Sequence, residues 1–188
     1  RPEETRTVAA FLGAAEAEPS GLVAEGEPGI GKTTLCLSTI ELAEQRGFHV
    51  LSARPAEAES VLAYASLADL LSSVDSSVWK NLPTAQQLAM DRVLLGSEAE
   101  DLTTDHRAVG AGFLSVIELL AERSPVLLAI DDLQWLDPSS RNVVAFASRR
   151  LSAPVGVFGT VRTDPDEGGA AASWLQLPQP DGVGRMRI

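Results

Sequence analysis

Residues 26–33 read Gly26-Glu27-Pro28-Gly29-Ile30-Gly31-Lys32-Thr33 and match the pattern G-x-x-x-x-G-K-[ST] at every specified position. A short apolar run precedes this stretch and a helical pattern follows it, which is the strand–loop–helix context that the pattern requires. Its glycines allow close backbone approach, so that successive amide N–H groups can surround a phosphate at the positive end of the following helix. The stretch therefore predicts a phosphate-binding loop, and residues 26–34 are its candidate nucleotide-binding residues, with Thr34 the last of them.

Two side chains of this loop have chemistry suited to a nucleoside triphosphate. Lys32, one of only two lysines in the chain, supplies a point charge for the β and γ phosphates. The hydroxyl of Thr33 is placed to ligate Mg²⁺. The alternative is a glycine-rich turn that caps an ordinary helix, and the flanking strand and helix favour the phosphate-binding interpretation over it.

A second element of such a site is a carboxylate at the end of a neighbouring buried strand. The apolar run Val126–Ile130 is typical of a strand buried on both faces, and Asp131 and Asp132 follow it directly. We predict that Asp131 lies on the metal side and that Asp132 acts as a general base that orients a water molecule towards the γ phosphate. The alternative is a pair of solvated aspartates. Since Asp is shorter than Glu, efficient hydrolysis is a weaker expectation than binding.

Arg162 is a third candidate catalytic residue. It follows the strand candidate Val155–Val161, and it would emerge beside the γ phosphate if that strand lies between the two strands already named. There it could report the presence of the γ phosphate. The alternative is a surface arginine that balances Asp164 and Asp166.

Other residues with reactive or charged side chains have simpler interpretations. Arg149 and Arg150 could form a finger towards a neighbouring subunit, but a basic last helical turn that complements the helix dipole is the favoured interpretation. Cys36 is expected to be a small buried hydrophobe and Trp135 a packing residue.

Short apolar runs alternate with helical patterns along the chain, which predicts α/β units around a mostly parallel sheet. Residues 97–105 are polar and acidic and are interpreted as a surface loop. The predicted strands are Leu22–Glu25, His49–Ala53, Val126–Ile130, Val155–Val161 and Arg185–Ile188, and the predicted helices are Thr5–Glu18, Lys32–Arg46, Ser66–Val74, Thr84–Leu95, Arg107–Glu122 and one that starts with Asp137 as N-cap and Pro138 as its first residue.

Composition sets the broad class. The 188 residues are 45% hydrophobic and 22% charged, which predicts one globular domain, residues 1–188. The net charge of −11 argues against direct contact of this chain with DNA or RNA. The sequence has neither an apolar run of membrane-spanning length nor a signal peptide, and its single cysteine excludes an internal disulfide and a zinc cluster. A cytoplasmic protein without membrane contact is expected.

The segment Leu128–Ser140, with the sequence LAIDDLQWLDPSS, resembles the extended Walker B element of the signal-transduction ATPases with numerous domains (STAND), in particular the large ATP-binding regulators of the LuxR type. Glu59–Leu71 is similar to the segment after the second strand of that family, and Gly159–Arg162 resembles its sensor 1 strand end. The opening, Arg1–Glu4, is similar to a Gly-Arg-Glu stretch that lies near the adenine in such proteins.

The resemblance implies a P-loop NTPase with an AAA+-like core, a three-layer sandwich around a parallel sheet with strand order 5-1-4-3-2. It also implies a long cytoplasmic regulator that couples ATP binding to effector sensing and transcription activation, with self-association through the ATPase domains. The lid, helical repeats and helix-turn-helix that follow the ATPase in this family have no counterpart in residues 1–188, so the chain looks like an excised domain. DNA binding would belong to the parent protein.

The function that these features predict is an ATP-binding switch module with slow Mg²⁺-dependent ATP hydrolysis, whose ligands are ATP and ADP. One alternative is a P-loop small-molecule kinase, which would need an acceptor pocket and usually a basic lid. Another is an interaction module that retains nucleotide without turnover. An ABC transporter subunit is disfavoured because no Leu-Ser-Gly-Gly-Gln type signature precedes Asp131.

Overall fold

Five parallel strands organise the part of the chain that the computed structural model describes, namely residues 2–95, 105–163, 172–178 and 182–188. The strands lie side by side in the order β2-β3-β4-β1-β5. This is the predicted order 5-1-4-3-2, which is confirmed. The strands are β1 (Ser20–Gly26), β2 (His49–Ala53), β3 (Val126–Ile130), β4 (Val155–Arg162) and β5 (Val183–Arg187).

Helices cover both faces of the sheet and complete the predicted three-layer α/β sandwich. They are α1 (Pro2–Ala15), α2 (Lys32–Gln45), α3 (Ala65–Leu71), α4 (Thr84–Leu95), α5 (His106–Ala121) and α6 (Pro138–Ser148), with short 3₁₀ turns at Glu57–Glu59, Ser76–Val78 and Leu133–Trp135. Helices α1 and α2 share one apolar core with the sheet, and α3 to α6 pack into the other. None of the helices in the described ranges is long and apolar enough to cross a membrane.

Two cores on opposite sides of the sheet follow from the alternation of side chains along each strand. In β3, Leu127 and Ala129 face the α1–α2 layer, whereas Leu128 and Ile130 face the layer of α3 to α6. All five residues of this strand are buried. The continuous apolar run in the sequence therefore marks a central strand, as predicted.

The register of the strands brings the candidate site residues to one edge of the sheet. Gly26, at the end of β1, pairs with Arg162 at the end of β4. Ile130, at the end of β3, pairs with Gly159 of β4 on one side and with Ala53 of β2 on the other. Because all strands run in parallel, the loops that follow β1, β2, β3 and β4 meet at this carboxyl edge, where α/β sheets bind ligands.

The first helix does not have its predicted bounds. It begins at Pro2 and ends at Ala15, three residues earlier at each end than the predicted Thr5–Glu18. Proline is tolerated in a first helical turn, and the carboxylates of Glu3 and Glu4 lie where the helix dipole favours them. Pro2–Glu4 of the opening that resembles an adenine-proximal stretch is therefore helical, and Arg1 lies outside the described residues.

Three further predictions about elements need correction or fall outside the described residues. Helix α3 ends at Leu71 rather than Val74, and β5 begins at Val183, two residues before the predicted start. The surface loop was predicted over residues 97–105, of which 97–104 lie outside the described residues. The carboxylate of Asp105 accepts a hydrogen bond from the Arg107 amide at 2.9 Å and caps α5.

Candidate functional site

The loop between β1 and α2 has the backbone that its glycines predict. Gly29 has a φ of 79° and Gly31 a φ of 107°, both in the region that favours glycine. A Cβ atom at Gly29 would meet no atom within 4 Å, so backbone conformation rather than space requires glycine there. Gly31 is the N-cap of α2, and the helix starts without a side-chain cap. A phosphate oxygen could accept the hydrogen bonds that a capping side chain would otherwise take.

The lysine of the loop points back across it. The Nζ atom of Lys32 donates hydrogen bonds to the carbonyl oxygens of Gly26 at 2.9 Å and Glu27 at 2.8 Å, and the residue is only 6% exposed. Burial lowers the pKa of Lys32 below the ordinary lysine value, whereas the nearby carboxylates of Asp132 and Asp131 raise it and Arg162 lowers it further. The lysine is thus a buried cation held by neutral acceptors.

Asp131 connects the phosphate loop to the end of β3. Its Oδ2 atom accepts a hydrogen bond from the Thr33 hydroxyl at 2.8 Å, although the two residues are 98 positions apart in sequence. Its Oδ1 atom accepts one from the hydroxyl of Thr160, on β4, at 2.6 Å. The predicted metal pair, Thr33 and Asp131, is therefore brought into direct contact.

This pair of oxygen donors fits Mg²⁺. The ion prefers hard oxygen ligands and commonly takes only one or two from the protein, the others coming from phosphates and water. A buried carboxylate beside a hydroxyl supplies such ligands. Among the described residues no group of three or more His, Cys, Asp or Glu side chains could hold a metal ion.

Asp132 lies at the start of the next turn in a left-handed conformation, with a φ of 62°. Its amide donates a hydrogen bond to the Thr160 hydroxyl at 2.8 Å. Its Oδ1 atom accepts one from Gln134 Nε2 at 2.9 Å, and Nε and Nη2 of Arg162 each lie 3.4 Å from a carboxylate oxygen of Asp132. The predicted water-orienting carboxylate and the predicted γ-phosphate sensor are therefore paired with each other.

Asp131 lines a neighbouring cavity, whereas several of the other groups surround a cleft of about 260 Å³. The residues that line it are Pro28, Gly29, Gly31, Lys32, Thr33, Asp132 and Arg162. Gly26 and Glu27 contribute through their carbonyl oxygens, which hold Lys32. Ile30 and Thr34 are exposed and do not line the cleft. The prediction for Arg162 required that its strand lie between the strands of the phosphate loop and of the two aspartates. Strand β4 does lie between β1 and β3.

Three residues of the site were not predicted from the sequence. Thr160 bridges Asp131 and Asp132, and the signal that could have found it is a lone hydroxyl in an otherwise apolar buried strand. Gln134 holds Asp132 through its amide nitrogen and accepts a hydrogen bond from the Arg162 amide at 3.3 Å. Arg54 lies 3.5 Å from Asp131 and is the first residue after β2.

The remaining candidates take the simpler roles. Arg150 stacks 3.8 Å from the ring centroid of Phe146 and donates a hydrogen bond to its carbonyl oxygen at 3.0 Å, which supports a role at the end of α6. Arg149 is the C-cap, so both arginines follow the helix rather than form its last turn. Trp135 lies beneath Arg162, 5.9 Å from its guanidinium carbon.

Cys36 is a buried hydrophobe as predicted, and burial raises the pKa of its thiol to about 12. Asp164 and Asp166, which the alternative interpretation of Arg162 invoked, lie outside the described residues.

Comparison with the solved structure of one protein supports the fold, and a second is similar to a lesser degree. The ORC1 protein of Aeropyrum pernix, solved in complex with DNA, has a TM-score of 0.52 and 17% identity over all of this chain and 44% of that one. AMPPCP-bound DnaA from Aquifex aeolicus has a TM-score of 0.46 and 15% identity over 97% of this chain and 44% of that one. The chain thus spans less than half the length of either protein. At such identities the likeness to ORC1 bears on the fold alone.

Sequence comparison gives the family. An uncharacterized protein of Rhizobium meliloti, R02095, is 32% identical over 76 residues, which are 40% of this chain and only 6% of that protein. The family described as AAA ATPase domain matches residues 1–158, a range that contains the phosphate loop, the Asp131–Asp132 pair, the first three strands and the first half of β4. Since this match covers most of the sequence and agrees with the order of the strands, the chain belongs to the AAA ATPase domain family.

Proposed function

We propose that this chain is the nucleotide-binding module of a larger regulator, that it binds Mg²⁺-ATP and hydrolyses it slowly, and that the bound nucleotide sets the conformation of the module. The observation that carries the proposal is the hydrogen bond between Thr33 and Asp131. It joins the phosphate loop to the acidic strand end, because Thr33 lines the cleft together with Lys32 and also contacts Asp131, the other proposed metal ligand.

The roles follow from the positions. Lys32 and the loop amides bind the phosphates, since a buried ammonium and a helix N-terminus both favour negative charge. Thr33 and Asp131 hold Mg²⁺, which when bound neutralises phosphate charge. For Lys32 to reach a phosphate, its ammonium exchanges one of two carbonyl acceptors for a charged phosphate oxygen, and a hydrogen bond between two opposite charges is stronger than one from the ammonium to a neutral carbonyl.

The pairing of Arg162 with Asp132 supports a switch rather than fast turnover. A γ phosphate and Asp132 compete for the same guanidinium, which is about half exposed and can therefore turn towards either. When Arg162 turns to the phosphate, Asp132 becomes available to accept a hydrogen bond from a water molecule. Gln134 still holds one oxygen of that carboxylate, and the short side chain of Asp132 limits how closely it can approach the water molecule. Hydrolysis is therefore slow.

The regulator role rests on the resemblance of Leu128–Ser140 and Gly159–Arg162 to the STAND regulators of the LuxR type. The Rhizobium meliloti relative, of which this chain covers 6%, supports a place within a much longer protein. In such a protein, which we propose to be cytoplasmic, effector sensing, transcription activation and DNA contact belong to other regions. The net charge of −11 disfavours DNA binding by this chain itself, because an acidic surface repels the phosphate backbone. Self-association through the ATPase domains is part of the proposal.

Isothermal calorimetry with ATP and MgCl₂ tests nucleotide binding. We expect a dissociation constant below 1 mM for the parent chain and a loss of more than tenfold for Lys32→Ala, since a charge-assisted contact with phosphate is removed. Lys80→Ala, which removes the other, exposed lysine, is the matched control and should bind like the parent. Equal affinity of Lys32→Ala and the parent would refute the proposed site.

Turnover is tested separately, by release of inorganic phosphate. We expect slow release by the parent and less by Asp132→Ala. If the two rates are the same while ATP still binds, the chain is a nucleotide-retaining interaction module. Transfer of phosphate from ATP to a metabolite in a screen would instead support the small-molecule kinase.

A further inference from the structure

Arg54 lies against the metal carboxylate, and the sheet itself places it there. Ala53 of β2 pairs with Ile130 of β3, and the amide of Asp131 donates a hydrogen bond to the Ala53 carbonyl at 3.0 Å. Arg54 directly follows β2, and Asp131 directly follows β3. The Nε atom of Arg54 accordingly lies 3.5 Å from Asp131 Oδ2.

The two oxygens of Asp131 have different partners. Oδ1 accepts a hydrogen bond from the buried hydroxyl of Thr160, which is fixed in the sheet. Oδ2 faces the Thr33 hydroxyl and the Arg54 guanidinium. Oδ2 is therefore the oxygen that lies beside the other proposed metal ligand, and a metal ion at that oxygen shares it with a positively charged side chain.

The two partners of this ion pair differ in freedom to move. The Arg54 side chain is 72% exposed, whereas that of Asp131 is 6% exposed. An exposed arginine changes its position at little cost, because the surface ion pair that it leaves contributes little stability. Asp131 keeps its place because its amide and both oxygens are engaged.

A cavity beside the phosphate cleft offers Arg54 another place. It has a volume of about 310 Å³ and includes Thr33, Arg54 and Asp131 in its lining. Asp69 of α3 and Ser72, which directly follows α3, line the same cavity, and both residues are exposed. A guanidinium that leaves Asp131 can therefore remain in the cavity and pair with the carboxylate of Asp69.

We propose that Arg54 competes with Mg²⁺ for Asp131 Oδ2, so that metal binding moves its guanidinium from the end of β3 towards Asp69 on α3. The inference rests on the proposed function, because it assumes that Thr33 and Asp131 hold the metal. It adds a residue that tunes how much Mg²⁺ the module needs, and it gives a route by which occupancy of the metal site reaches α3.

The test measures the Mg²⁺ concentration at which binding of a fluorescent ATP analogue (mant-ATP) reaches half of its magnesium-dependent increase. Arg54→Gln removes the competing charge, and we expect the half-saturating concentration to fall about three- to tenfold, as befits the loss of one cation near a divalent ion in a solvated cleft. Arg54→Lys keeps the positive charge near Asp131 and should stay within about twofold of the parent.

Arg46→Gln is the matched control. Arg46 pairs with Glu16, also at 3.5 Å, but follows α2 at the opposite edge of the sheet. The Arg46→Gln substitution should leave the half-saturating Mg²⁺ concentration unchanged. Asp69→Asn removes the second acceptor, and we expect it to raise the half-saturating concentration about twofold; no change would overturn the proposed movement towards α3.

Two results would overturn the competition itself. One is a magnesium requirement of Arg54→Gln that equals or exceeds that of the parent. The other is weaker binding of mant-ATP by Arg54→Gln in EDTA, which would mean that Arg54 contacts phosphate. Either result leaves the proposed function intact, because the parent chain still binds nucleotide. If the parent binds no nucleotide and Lys32→Ala makes no difference, the proposed function fails as well.

Discussion

The hydroxyl of Thr160 is expected to stabilise the fold and the site together, and Thr160→Val isolates its contribution. The hydroxyl is fully buried, donates a hydrogen bond to Asp131 Oδ1 at 2.6 Å and accepts one from the Asp132 amide at 2.8 Å. Valine has nearly the same shape and keeps the branched side chain that suits a strand. The substitution therefore removes two hydrogen bonds with little change in packing.

The size of the effect follows from the groups left behind. A buried amide without its acceptor costs about 1–3 kcal/mol, and the lost hydrogen bond to a carboxylate about 1.5–3 kcal/mol. Burial of the added methyl group returns about 1 kcal/mol. We expect a net loss of about 1.5–5 kcal/mol in the free energy of unfolding, which corresponds to a Tm roughly 3–20 °C lower for a chain of this size. The stabilisation by Mg²⁺-ATP should fall too, because Asp131 loses a donor that orients it.

Urea unfolding followed by circular dichroism measures this loss, and Thr39→Val is the matched control. Thr39 is also fully buried, but its hydroxyl donates only to the Leu35 carbonyl, one turn earlier in α2, at 2.8 Å. Since that carbonyl lies within the hydrogen-bond pattern of the helix, we expect a loss below about 1 kcal/mol. Thr160→Val and Thr39→Val of equal stability would refute the bridging role of Thr160.

Three further predictions concern groups buried around the site. Asp137→Ala should cost about 3–5 kcal/mol in urea unfolding, because the carboxylate accepts hydrogen bonds from the amides of Tyr64, Ser66 and Ser140 at 2.9, 3.2 and 2.9 Å. Gly159→Ala should lower the Tm by several degrees, because a Cβ atom there would lie 2.5 Å from Leu133 Cδ1, whereas Gly13→Ala, at an exposed position of α1, should raise it slightly. Cys36, with a thiol pKa of about 12, is about one part in ten thousand thiolate at pH 8, so Ellman's reagent should label it only after unfolding, and prompt labelling of the folded protein would contradict its burial.

The sheet was predictable because its signals are local. The buried runs Val126–Ile130 and Val155–Val161 carry enough apolar residues to identify central strands, and the phosphate loop marks the strand before it. The end of α1 was not predictable in the same way. Residues 16–18 are as compatible with a helix as those before them, and the helix ends at Ala15 because the chain must turn there to enter β1 at Ser20.

The residues of the site also differ in whether local sequence is enough to predict them. Lys32, Thr33 and Asp131 belong to stretches whose spacing along the chain already specifies their chemistry. The roles of Thr160 and Arg54 depend on which strands are neighbours and in which register, since their partners lie 29 and 77 residues away in sequence. Arg54 was one of thirteen arginines, and no local pattern distinguished it before β2 and β3 were seen side by side.

The charges at the carboxyl edge of the sheet explain how so acidic a chain can offer a site for a triphosphate. Two of the cations there lie against carboxylates: Arg54 against Asp131 and Arg162 against Asp132. Lys32 instead donates to two neutral carbonyl oxygens. A phosphate that contacts either arginine must first compete with an aspartate, whereas one that contacts Lys32 displaces only a carbonyl. The affinity for phosphate should therefore depend most on Lys32, and the two arginines should respond to what has already bound.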